Sequence, residues 1–204
     1  MDSAQYPSSM NRPFARAVSL FGHPMLVLPL AVVALAAARG QHRAALWLAA
    51  GFAIFAAVVM GYSAWQVRRG RWSHVDASDT RERRTLNRFL LITLVAATAL
   101  SAVLWNSREL TVGLGLSAAM VAIAMLTARW WKLSLHMAFV VFAACLLLLG
   151  TNAWIGGIAL VFAALVAWSR LALRRHVPRD LVAGISTGAL AGALFAVFDT
   201  TGFA

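Results

Sequence analysis

Seven apolar runs recur along the chain, at 17–38, 44–66, 88–105, 110–128, 133–150, 153–169 and 181–198. Each is close to the ~20 residues that a helix needs to cross about 30 Å of hydrocarbon. None alternates with period two, and Ala and Leu dominate throughout, so the pattern predicts helices rather than barrel strands. The expected fold is all-α, a polytopic transmembrane helix bundle of six to seven spans. Polar residues between the runs divide the chain into a polar N-terminal segment at 1–16, two transmembrane helices at 17–66 and a transmembrane core at 67–198.

Composition agrees with the pattern. Of 204 residues, 61% are hydrophobic and only 12% charged, with a mean hydropathy of +0.76, which excludes a soluble domain of ordinary make-up. Arg12 and Arg16 ahead of an Ala-rich stretch imitate a secretory leader. That stretch is longer than a leader's apolar core and is expected to stay as the first helix. Cys145, the single cysteine, falls inside the fifth run; it can form neither an intrachain disulfide nor a thiolate cluster, and reads as an apolar packing residue.

Charge adds sidedness. The chain carries 18 Lys and Arg against 7 Asp and Glu, a net +11. If every run crosses, the N-terminal segment and the stretches 67–88, 129–132 and 170–180 share one face and hold 15 of the 18 basic residues; only Arg39, Arg43 and Arg108 lie on the other. The positive-inside rule then places the crowded face and the N terminus in the cytoplasm of a bacterial inner membrane. A periplasmic active face stays open, because arginines that bind substrate are not free topological signals. So basic a chain, with no soluble module to carry nucleic-acid contacts, is expected to meet anionic lipid headgroups and not nucleic acid. Trp residues cluster near run ends, as an interfacial belt does.

Three polar clusters fall on the crowded face. The first is Ser169-Arg170, five residues, His176, three residues, Asp180, followed at once by an apolar run. A carboxylate four residues after a histidine, near a helix start, can hold one imidazole nitrogen and leave the other free to attack. Arg174, Arg175 and Arg179 read as snorkelling anchors. The second cluster, Lys132-Leu133-Ser134-Leu135-His136, stands at the entrance to the fifth run. The third, Ser73 to Arg84, lies in the longest loop and reads either as a solvated charged loop or as a clamp, in which Arg81, Arg83 and Arg84 grip phosphate oxygens while Asp76, Asp79 and Glu82 orient them. His23-Pro24, within the first run, reads as a packing or kink feature.

These residues resemble the type 2 phosphatidic acid phosphatase superfamily of membrane lipid phosphatases. Its third motif, Ser-Arg-x5-His-x3-Asp, is matched at every defined position by Ser169, Arg170, His176 and Asp180. Its second, Pro-Ser-Gly-His, is similar to Leu133-Ser134-Leu135-His136, which keeps Ser and His but not Pro and Gly. Its first, Lys-x6-Arg-Pro, is absent as written, and Asp76 to Arg84 resembles an acidic, arginine-rich variant of it. The resemblance covers roughly 67–198 and makes that stretch a phosphatase-like core, with one span more than the six usual in the family.

The resemblance implies a metal-independent, cofactor-free hydrolysis of a lipid phosphate, either a polyprenyl phosphate or diphosphate or a phospholipid phosphate monoester. It makes His176 the nucleophile that forms a phosphohistidine, with Asp180 orienting its ring and His136 as general acid and base. Arg170, Ser134, Lys132 and an arginine among Arg81, Arg83 and Arg84 would bind the phosphate. Two other functions use the same residues. A lipid-linked phosphotransferase would pass the phosphate to an acceptor headgroup, and a non-catalytic protein would bind or flip anionic lipids with the arginines alone. Gly184, Gly188 and Gly192 line one face of the last run at four-residue spacing and predict close packing against another helix.

Overall fold

The computed structural model describes residues 11–74, 79–105 and 107–200. Among them the chain is all-helical: α1 (Asn11–Phe21), α2 (Pro24–Ala38), α3 (His42–Arg68), α4 (Thr80–Leu100) running into a π-helical turn at Ser101–Trp105, α5 (Arg108–Thr127), α6 (Leu135–Gly150), α7 (Ala153–Ala172) and α8 (Pro178–Thr200). Five helices, α3, α4 with its π turn, α5, α7 and α8, are long and apolar enough to cross a membrane, and α1 with α2 forms a bent pair that makes up to a sixth. Ile54, Ile92, Val103 and Leu160 stand exposed along these helices, as lipid-facing residues do. The protein is a polytopic membrane protein.

α6 is the hub. At 16 residues it is about 24 Å long at 1.5 Å per residue, shorter than the five helices long enough to cross. Its residues from Met137 to Ala144 are all buried, because α2, α5, α7 and α8 surround it. A helix that is apolar all round finds its stable place inside a bundle. The glycine face of α8 packs on it as its spacing predicts: a Cβ at Gly184 would meet the Ser134 carbonyl oxygen, one at Gly188 the Ala138 carbonyl, and one at Gly192 the side chain of Cys145. Two core clusters result, one around Phe142, Val121 and Leu94, the other joining Val18, Val140, Val166 and Leu181.

Two expectations are corrected. The first run is not one helix: it breaks at Gly22–His23, and α1 and α2 meet at a bend of 53°. Pro24 opens α2 with no amide hydrogen to satisfy, and His23 caps it, Nδ1 accepting from the Met25 amide at 3.2 Å. α1 is amphipathic instead of apolar throughout; Ala15, Val18, Ser19 and Gly22 are buried in a three-four stripe against α7 while Phe14, Leu20 and Phe21 stay exposed. The second correction shortens the long loop. α4 starts at Thr80 because Asp79 and Glu82 form a reciprocal capping box, so Arg81, Arg83 and Arg84 ride on a helix.

Candidate functional site

The loop from α7 to α8 is built by its own backbone. The Arg175 amide donates to the Arg170 carbonyl at 3.1 Å and the Arg174 amide to that of Leu171 at 2.9 Å, the paired closure of a Schellman motif. The turn needs a left-handed residue, and Arg174 fills it at φ 51°, a strained conformation for a side chain with a Cβ. The loop then returns the chain through His176 and Val177 to Pro178, the first residue of α8.

His176 and Asp180 meet across this return. Nδ1 lies 3.4 Å from Asp180 Oδ2, and the two side chains are 8% and 5% exposed. The Val177 amide also points to Oδ2, at 3.4 Å, and the Asp180 carbonyl accepts from the Ser134 amide at 3.2 Å. Arg179 reaches the other carboxylate oxygen at only 3.8 Å from a side chain that is 78% exposed, a contact of little energetic weight. Burial, and next the nearby Arg170 cation, push the His176 pKa down to about 4 against the opposing pull of Asp180. The imidazole is therefore neutral near pH 7, with Nδ1–H directed at the carboxylate and Nε2 holding its lone pair.

Around this pair the three sequence clusters converge. Arg170 is 6% exposed and donates from a terminal nitrogen to Ser19 Oγ at 2.9 Å, while its Nε has no hydrogen-bond partner among the described residues. Ser134 Oγ, fully buried, is likewise unpartnered there, as is Asp180 Oδ1. Lys132 Nζ donates to the Arg175 carbonyl at 3.4 Å. Partial burial and the nearness of Arg83 lower its pKa, with Asp180 opposing. His136, in the first turn of α6, lies within electrostatic reach of Arg170, His23, His176 and Arg175. Arg83 is near enough to act on both Lys132 and Arg170, which joins α4 to the group.

Other expected residues stand apart. Arg81 and Arg84 are exposed on α4. Asp79 gives its carboxylate to the α4 N terminus, Oδ1 accepting from the Arg81 amide at 2.7 Å, and Glu82 accepts from the amides of Ser73 and Asp79; both carboxylates hold the start of the helix that carries Arg83. Asp76 lies outside the described residues. Ser169 is fully buried and donates to the Val166 carbonyl at 2.7 Å, inside its own helix. Among the described residues no group of three or more His, Cys, Asp or Glu is disposed to hold a metal ion.

Two residues of the site escape the three-cluster pattern, Ser19 and His23. Both come from the broken first span. The signal for them was present, since a Gly-His-Pro triplet inside an apolar run marks backbone that must find polar partners within the protein. No family model, curated protein or solved structure matches the chain.

Proposed function

We propose that the protein is an integral-membrane phosphatase that hydrolyses a lipid phosphate through a phosphohistidine on His176. One observation carries the reading: a buried, neutral His176 paired with Asp180 sits beside a buried Arg170 whose Nε is unpartnered among the described residues, with Ser134, Lys132, His136 and Arg83 gathered at the same end of the bundle. Nucleophile, orienting carboxylate, proton donor and cationic clamp are the parts that metal-free phosphoryl transfer needs.

In the first half-reaction the His176 Nε2 lone pair forms a bond to phosphorus as the ester P–O bond breaks, and the leaving alkoxide takes a proton from His136. Positive charge developing on the imidazole is balanced by Asp180. In the second, a water oxygen attacks phosphorus, His136 takes the water's proton, and the P–N bond breaks to return its electron pair to Nε2 and free phosphate. Arg170, with Lys132 and Arg83, offsets the charge on the three phosphoryl oxygens, and Ser134 Oγ donates a hydrogen bond. Unaided phosphate monoester hydrolysis is slow enough that these groups together must lower the barrier by on the order of 20 kcal/mol.

The substrate is a phosphate borne by a lipid, because the cluster sits where apolar helices end and interfacial Trp130 and Trp131 are exposed. By the positive-inside rule that face is cytoplasmic and the membrane a bacterial inner one. The test is phosphate release in detergent, with excess chelator, from phosphatidate, phosphatidylglycerophosphate and polyprenyl mono- and diphosphates. Chelator-resistant release is expected from the native chain and not from His176→Ala. Release that His176→Ala leaves intact would sink the phosphohistidine, and phosphate appearing only on an added acceptor lipid would make the protein a transferase.

A further inference from the structure

His23 belongs to neither of the polar loops nor to the stretch that carries the family resemblance, yet its ring stands edge-to-face with His136, the centroids 5.1 Å apart and the planes at 89°. What fixes it there is the broken span. Pro24 and the capping bond from the Met25 amide to Nδ1 set the backbone and the ring together. On one side of the break Ser19 holds Arg170; Gly22 next to it lies so close to Val166 that a Cβ would collide with that side chain. The break is thus pinned to α7 by packing and to the site by one hydrogen bond and one ring contact.

The capping bond also decides a proton. Nδ1 accepts from a backbone amide, so it carries no hydrogen, and the neutral ring bears its proton on Nε2. Adding a second proton would break the cap at the start of α2. We infer that His23 is the positioning residue of the general acid: locked as the Nε2–H tautomer, it braces the His136 ring and leaves His136 as the member of the pair that gains and loses the catalytic proton. The charged and titratable groups facing His136 are Arg170 from α7, Arg175 and His176 from the following loop, and His23 itself, with Asp180 of α8 bound to His176. Three imidazoles therefore sit together under cationic neighbours, and a proton placed on His23 would compete directly with one on His136. The assignment of His136 as the acid rests on the phosphatase reading; the coupling of the two rings does not.

His23→Asn tests this in the full chain, because Asn supplies a capping oxygen for the Met25 amide while removing the imidazole. In detergent, His23→Asn is expected to melt with the native protein. In kcat/KM, which reports formation of the phosphohistidine and not its hydrolysis, it should lose at least about tenfold on a lipid alkyl phosphate and less than about threefold on an aryl phosphate, whose leaving group needs no proton. Equal loss on the two esters, or no loss on either, overturns the proposal. Nitrogen-15 spectra of histidine-labelled protein give the second arm. The native His23 should show a bare Nδ1 and a protonated Nε2 through the pH range in which His136 titrates, and His23→Asn should displace the His136 titration. A His23 protonated at Nδ1, or a His136 titration that His23→Asn does not move, overturns it as well. Should the native chain release no phosphate from any ester, the phosphatase reading fails and the nitrogen spectra alone decide the pair.

Discussion

In the proposed reaction His176 attacks phosphorus, which a histidine does only while one ring nitrogen is unprotonated, and that condition is set by two opposed neighbours. Burial and Arg170 disfavour the cation; Asp180 favours it. With the pKa at about 4, the free-protein profile of kcat/KM is expected to stay level on the His176 side above about pH 5 and to fall as the pH drops through 4, when the lone pair is lost. Asp180→Asn separates this limb from titration of the phosphate ester. It removes the one neighbour that raises the His176 pKa, so the acid limb should move to lower pH, while the rate falls by on the order of 10³ because the ring loses its orienting partner. An acid limb that stays put in Asp180→Asn would assign it to the substrate. This pair was legible in the sequence because a four-residue spacing next to a helix start fixes its own geometry. For Ser19 and His23 the Gly-His-Pro triplet signalled a break but not its partners, which depend on the bend and on α7, 151 residues along the chain for the Ser19–Arg170 contact.

Helices position the site through close contact, and the α6–α8 seam is where that contact is tightest. A methyl at Gly188 would meet the Ala138 carbonyl, which is backbone and cannot rotate away. Gly188→Ala is expected to destabilise the fold by about 1–3 kcal/mol. Gly157 of α7 has nothing within 4 Å of such a methyl, and Gly157→Ala should be neutral or stabilise by up to about 1 kcal/mol through helix propensity. Gly184→Ala presses on the Ser134 carbonyl, one residue's backbone from the amide that bonds the Asp180 carbonyl, so it should lower phosphate release as well as the melting temperature. Thermal unfolding in detergent, paired with activity, checks all three. The glycine spacing announced this seam, and the apolar runs announced α3 to α8 one for one. Helix ends were harder: the start of α4 at Thr80 lies in polar sequence, where the Asp79–Glu82 capping box was a better guide than hydropathy. The break was readable as a kink from His23-Pro24, although the apolar average of the run favours one continuous helix.

At the scale of the molecule the two ends of the bundle are chemically unlike. One end gathers Arg83, Lys132, Arg170, Arg175 and His176; at the other, Arg39 pairs with Glu109 at 3.0 Å and the N-terminal ends of α3, α5 and α7 carry few other charges. Counting basic residues made this asymmetry readable before any fold was known, whereas the central place of α6 was readable only in part: its run is the most apolar of the helices, but which neighbours enclose it is decided by mutual shape. The broken span sharpens the topological expectation. α1 packs on the last turns of α7, with the Phe14 and Trp168 rings 5.9 Å apart and tilted at 47° and Ser19 bonded to Arg170, so Arg12 belongs to the crowded end along with Arg129 and Arg175. In a Cys145→Ala background, cysteines placed at Arg12, Arg129 and Arg175 should all react with an impermeant maleimide from one side of sealed vesicles, and one at Gln41 from the other. In the proposed orientation the first side is cytoplasmic. Labelling of the Arg129 and Arg175 positions from the periplasm would invert the protein and direct the search for its substrate to lipids of the outer leaflet, while leaving the chemistry of His176 as it is. Labelling of Arg12 on the Gln41 side would instead remove α1 from the site and, with it, the support for His23.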